Sequence, residues 1–291
     1  MTEPRTKIYF ASKLGFCSGV AGALHILERT IEEYGAPIYV YHKIVHNERV
    51  ITDMEQKGAV FIDDLSHMAD MSRPLVLSAH GSSKSLVLEC ERRGIKYIDA
   101  ACPFVLQNHR FVRERLEMGH SVIVIGSDAE HDEILGLMGQ SESSIFFVKS
   151  VSDVSALTIK PGSKVCYVSQ TTLALESVRE IIAAIKTKFP DVASPPLRSV
   201  CHATSERQVA ARELVAKYGL SYFVVIGSLS SANTKSLAKT IEAAGCANVF
   251  IVSSADDIKP GMFAGVEKLG ITAGASTPQE LIEEVVVKIG G

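Results

Sequence analysis

The sequence predicts an α/β protein: three similar α/β domains with parallel sheets, set as a pseudo-threefold trefoil around a central cavity. Three observations predict it. Near-continuous apolar strands alternate with helical patterns along the chain, as in parallel sheets covered on both faces. One unit, a cysteine followed by a helix of about 18 residues and a run of strands, starts at Cys17, Cys102 and Cys201. An interval of 29 positions then separates Cys17 from His46, Cys102 from His131 and Cys201 from Ser230.

The elements follow in order. In the first domain, residues 1–100, an apolar strand precedes Cys17 and a helix runs to Gly35. The strand IYVYHKIV, the polar loop VHNE, the strand AVFIDD and the strand of LVLSAHGSS come next. The second domain, 101–198, repeats this with a helix from Cys102 to Gly119, SVIVIG, the loop EHDE, SIFFVKS, VCYVSQTT and the helix LALESVREIIAAIKTKFP. The third, 199–291, runs from Cys201 to Gly219 and on through YFVVIG, SLSSAN, NVFIVSS, GITAGAST and the helix PQELIEEVVVKIG. SPPLRS reads as the linker into it, and LRSV as the strand before Cys201.

The 291 residues, 46% hydrophobic and 22% charged, can bury a substantial core. A net charge of −3 supports neither a nucleic-acid nor an anionic-membrane partner. No apolar run approaches the roughly 18 residues of a spanning helix, and MTEPRTKIYFAS lacks the apolar core of a secretory signal, so a cytoplasmic protein is expected. In a reducing compartment the six cysteines are not read as three disulfides. Cys90, Cys166 and Cys246 read as small buried apolar residues.

Cys17, Cys102 and Cys201 read differently, because each stands where a strand gives way to a helix. A helix N-terminus favours the thiolate, the form that binds metal. Three thiolates meeting on an axis suit a zinc ion with one open position or an iron–sulfur cluster. Zinc sites usually carry close pairs such as CxxC, and none is present. A cubane [4Fe–4S] cluster matches threefold symmetry and leaves one iron without a protein ligand. The loops at the same strand ends add His46, His80, His131, Thr171, Ser231, Asn233 and Ser276, a donor-rich set suited to a phosphate or diphosphate. Glu133 is the carboxylate expected to be desolvated there and to deliver a proton.

GFCSGV, KIVHNERV, LSAHGSS, DAACPFV, EHDEILGLMGQ, SQTTL, GSLSSAN and ITAGAS, in this order, resemble the 4-hydroxy-3-methylbut-2-enyl diphosphate reductases over about residues 8 to 285. The resemblance implies that Cys17, Cys102 and Cys201 ligate a [4Fe–4S] cluster. It implies that His46, His80, His131, Ser231, Asn233 and Ser276 hold the diphosphate and that Thr171 contacts the hydroxyl end. Glu133 would deliver a proton, and a ferredoxin or flavodoxin two electrons, as the allylic hydroxyl leaves as water. A monomer or weak dimer is expected. The chain departs from the usual pattern at Gly22 (Arg), Ala101 (Thr), Gln107 (Lys), Glu130 (Gly), Asp132 (Pro) and His202 (Tyr). Ala232 replaces a serine of the Ser-Ser-Asn clamp, and one lost hydrogen bond to a charged group costs about 1.5–3 kcal/mol. A paralogue with the same chemistry on another substrate, and a non-catalytic iron–sulfur sensor, stand as alternatives.

Overall fold

The computed structural model describes residues 6–173, 175–195 and 201–290, without the side chains of 175–177. Every paired strand among the described residues runs parallel to its neighbour. The strand expected at LRSV and most of the SPPLRS linker lie outside the described residues.

The first sheet holds β2 (Ile38–Tyr41), β3 (Ala59–Ile62), β4 (Leu75–Leu77) and β5 (Tyr97–Asp99), in the order β3-β2-β4-β5. The second holds β6 (Ser121–Ile125), β7 (Ile145–Val148) and β8 (Val165–Ser169), in the order β7-β6-β8. The third holds β9 (Tyr222–Ile226), β10 (Asn248–Val252), β11 (Lys268–Ala273) and β1 (Lys7–Phe10), in the order β10-β9-β11-β1. The same order therefore recurs: the first strand of each repeat lies between its second and its third. Beyond the third comes an edge segment that leads to the next cysteine. β5 leads to Cys102, a parallel bridge from Cys166 to Ala193 occupies that place in the second sheet, and β1, ahead of Cys17, pairs with β11. Residues 7–10, grouped by sequence with the first domain, thus complete the last sheet.

Helices cover both faces because neighbouring residues of a buried parallel strand point to opposite sides. In β9, Phe223 and Val225 pack with Ala211 and Val215 of α8 (His202–Tyr218) and Leu237 and Ile241 of α9 (Ala232–Ala243). Val224 and Ile226 face Leu281, Ile282 and Val285 of α10 (Gln279–Gly290). In β6, Val122 and Val124 meet Phe111 and Val112 of α4 (Pro103–Glu117) and Ile134 and Leu137 of α5 (Asp132–Met138). Ile123 and Ile125 meet Ile181 and Ile185 of α7 (Leu175–Lys188). By its internal contacts the chain divides into two compact units. One comprises Met1–Ser18, His46–Val50 and His202–Gly291, and the other Gly19–Val45 and Ile51–Cys201.

One local departure matters. The strand expected across IYVYHKIV stops at Tyr41, because His42 adopts φ +57°, a left-handed conformation that ends an extended run. The helices after the three cysteines have the expected extents, with α1 at Ser18–Tyr34, and each ends against a glycine of positive φ: Gly35, Gly119 and Gly219.

Candidate functional site

Each repeat chain goes from its first strand to one neighbour and then back to the other side. The crevice between first and third strands, at their carboxyl ends, is where open α/β sheets bind ligands. Every loop singled out by sequence lies at such an end.

Cys17, Cys102 and Cys201 each directly precede a helix, α1, α4 and α8. Their backbone bonds repeat as well. The Cys102 N–H donates to the carbonyl of Ala79 at 3.0 Å, that of Cys201 to Thr171 at 3.3 Å and that of Cys17 to Ala275 at 3.0 Å. Each acceptor lies two residues beyond a third strand, β4, β8 or β11. One covalent and one hydrogen-bonded tether thus hold each cysteine at an equivalent sheet end. None of the six cysteines is in a disulfide; these three are partly exposed, whereas Cys90, Cys166 and Cys246 are buried. Burial pushes the Cys166 thiol up to about 12 and raises those of Cys90 and Cys246. Soft sulfur donors at helix starts fit an iron–sulfur cluster; the three buried thiols do not.

Glu133 is 2% exposed on α5. The Thr171 N–H donates to its Oε1 at 2.7 Å and the Thr171 hydroxyl to its Oε2 at 3.0 Å. Burial raises its pKa to about 7, against the two hydrogen bonds, which pull the other way. Thr171 therefore grips the acid with its N–H and hydroxyl and the Cys201 backbone with its carbonyl. His131 caps α5, its Nδ1 accepting the Glu133 N–H at 3.1 Å. An accepting Nδ1 carries no proton, so the ring's N–H is Nε2. The His80 and His131 rings meet edge to face, 5.7 Å between centroids.

In the other unit, Ser231 caps α9 by accepting the Thr234 N–H at 3.4 Å. The Ser276 hydroxyl donates to the His46 carbonyl at 3.1 Å, and the Ser230 hydroxyl to Glu48 at 3.1 Å. Asn233 is 4% exposed, and neither its Oδ1 nor its Nδ2 has a hydrogen-bond partner among the described residues. A buried amide left so is costly unless a polar ligand meets it.

Four contributors carried no signal in the sequence. Arg207 is buried on α8, donating to the Gly15 carbonyl at 2.7 Å and so ordering the loop before Cys17. His109 is buried on α4 with Nδ1 at 3.3 Å from Gln140 Nε2, and burial lowers its pKa to about 4. Gln140 in turn donates to the Ser82 carbonyl at 3.0 Å, bracing the loop that bears His80. His42 contacts Asp132 at 2.8 Å. The glycine in AHGSS supplied a cue in hindsight: Gly81 has φ +80°, and a Cβ there would lie 2.7 Å from His109 Nε2.

The LytB protein family matches residues 8–290 of this chain. The 4-hydroxy-3-methylbut-2-enyl diphosphate reductase of Methylibium petroleiphilum is 40% identical, over 98% of this chain and 85% of that protein. The protein of the same name from Methylocella silvestris is 36% identical, over 98% and 88%. The solved structure of the E-1-hydroxy-2-methyl-but-2-enyl-4-diphosphate reductase from Plasmodium falciparum is similar at a TM-score of 0.92 and 32% identity, covering 98% of this chain and 88% of that one.

Proposed function

Because the chain belongs to the LytB protein family, we propose that it is an oxidoreductase that converts 4-hydroxy-3-methylbut-2-enyl diphosphate to isopentenyl and dimethylallyl diphosphate. In this reading Cys17, Cys102 and Cys201, one from each of three domains (1–100, 101–198 and 199–291) of a trefoil, hold a [4Fe–4S] cluster. When bound, the cluster supplies electrons, received from a ferredoxin or flavodoxin, and an iron that no side chain ligates. The balance is two electrons and two protons in, one water out, and one new C–H bond on the allyl carbon.

The residues divide the remaining work. His46, His80, His131, Ser231, Asn233 and Ser276 bind the diphosphate, and the unsatisfied Asn233 amide supports a polar occupant. Glu133 holds a proton on its carboxyl, and Thr171 orients that carboxyl and the substrate's hydroxyl end. The enzyme acts in the cytoplasm as a monomer or weak dimer.

One observation carries the reading: Thr171 joins a buried carboxyl with a pKa near 7 to the backbone of a helix-starting cysteine. A proton donor and a cluster ligand on one residue's three polar atoms are what a reductive dehydroxylation needs together. The test is anaerobic purification, iron and sulfide analysis, and turnover of the diphosphate with a strong reductant. A brown protein absorbing near about 400 nm that releases five-carbon diphosphates is expected. A colourless, iron-free preparation would refute the cluster, and a loaded protein without turnover would refute the substrate.

A further inference from the structure

Asp132 is the first residue of α5, a position that accepts proline readily and where the related reductases, by the resemblance above, carry one. Starting a helix does not require its carboxylate to reach the loops of another sheet, yet it does. Oδ1 lies 2.8 Å from His42 Nδ1, and Oδ2 lies 3.8 Å from His80 Nδ1. The side chain is only 17% exposed. On the far side, His42 occupies its left-handed φ of +57° and stacks on Tyr41 with 4.4 Å between ring centroids. A non-glycine residue held in that conformation, aimed at a partly buried carboxylate, marks an over-determined local geometry.

We propose that Asp132, backed by His42, is a positioning residue for His80, setting its orientation and charge and so tuning how tightly this chain grips a diphosphate. The inference rests on the reading of His80 as a diphosphate contact. A carboxylate beside an imidazole favours the imidazolium, a stronger donor to phosphate oxygens. The same carboxylate would repel the diphosphate. His42 offsets this: its hydrogen bond to Asp132 Oδ1 favours the charged ring, outweighing desolvation, while Oδ2 is the oxygen that faces His80. Among the other ionisable groups around the pair are His46, Asp63 and Tyr41 and, next to Asp132 in the chain, His131 and Glu133, the latter tied to Thr171.

Asp132→Asn separates these effects. The amide oxygen still accepts from His42, while the charge facing His80 is gone. Inorganic pyrophosphate titrated calorimetrically into the anaerobic holoenzyme should bind about tenfold more weakly to Asp132→Asn than to the parent. KM for the hydroxymethylbutenyl diphosphate should rise by a similar factor, with kcat within about twofold. Asp132→Pro, acceptable at a first helical position, should weaken pyrophosphate at least as much. Between about pH 6 and about pH 8.5 the parent should keep its affinity to higher pH than either variant. Unchanged or tighter pyrophosphate binding by Asp132→Asn overturns the proposal, as does a parent that binds none. The two readings fail separately: weaker pyrophosphate binding in a protein that never turns over the family substrate removes the proposed reaction and leaves Asp132. Normal turnover with equal pyrophosphate affinities does the reverse.

Discussion

A carboxyl group shut away from water is either paired with a cation or neutral for much of its life, and among the described residues Glu133 meets no cation, only the N–H and hydroxyl of Thr171. Its pKa of about 7 lies well above the 4.5 of a solvated glutamate. The folded state therefore binds more protons than the unfolded one between these values, and stability falls as pH rises through that window. The loss amounts to about 3 kcal/mol in all and is complete above the folded value. Glu133→Gln keeps the shape and removes the titration. Urea unfolding of the variant should show a flatter pH profile between about 5 and 8, and greater stability than the parent at the alkaline end. If Glu133 delivers the proton as proposed, turnover should fall by about 10²–10⁴. In the parent, turnover should decline above about pH 7, where the carboxyl empties. A variant with full activity would assign the proton to another group.

The helices and strands that carry these residues were legible because each obeys a local rule. Apolar runs bounded by glycine gave the strands, and a cysteine before a long helical run gave the helix starts at Ser18, Pro103 and His202. What local rules omit is bracing between elements far apart in sequence. The His80 loop is clasped to α5: the Lys84 N–H donates to the Gly139 carbonyl at 3.1 Å, and Gln140 to Ser82 at 3.0 Å. The two chains approach so closely that a Cβ on Gly139 would lie 2.2 Å from the Ser83 Cβ and 3.1 Å from its Cα. Gly139 needs no unusual backbone angle, with φ −72°, so close approach, above all to Ser83, is what demands glycine. Gly139→Ala should cost about 2 kcal/mol or more in denaturant unfolding and raise KM, because the loop bearing His80 has to move. Unchanged stability and KM would mean that the clasp is slack. No spacing or motif points to such a pair, since close approach is a property of the assembled sheet ends.

The three repeats were equally legible, because each writes the same alternation of strand and helix, whereas their common strand order emerges only in the assembled sheets. Nor was the partner of each edge segment legible. A four-residue strand such as KIYF carries no record of which sheet it will join, and the choice is made by tertiary position. The structure has one rule for it: the segment that leads to a cysteine is the outer strand of a sheet whose third strand also holds that cysteine's N–H through the following loop. β1 pairs with β11, and Cys17 bonds to Ala275 just beyond β11. The consequence is mechanical, since sheet pairing and cysteine placement become one event. Ala11 is the joint, 3% exposed, its N–H donating to Ile271 at 2.9 Å where β1 ends. Ala11→Pro removes that donor and should cost about 3 kcal/mol. It should also lower the iron retained after anaerobic gel filtration, although every cysteine is intact, because the Cys17 loop loses its anchor on β11. Alanine-to-serine at the same place keeps the N–H and should retain iron. Were Ala11→Pro to lose stability but keep its full iron, the link between strand pairing and thiol placement would be broken, and Cys17 would owe its position to the Ala275 bond and Arg207 alone.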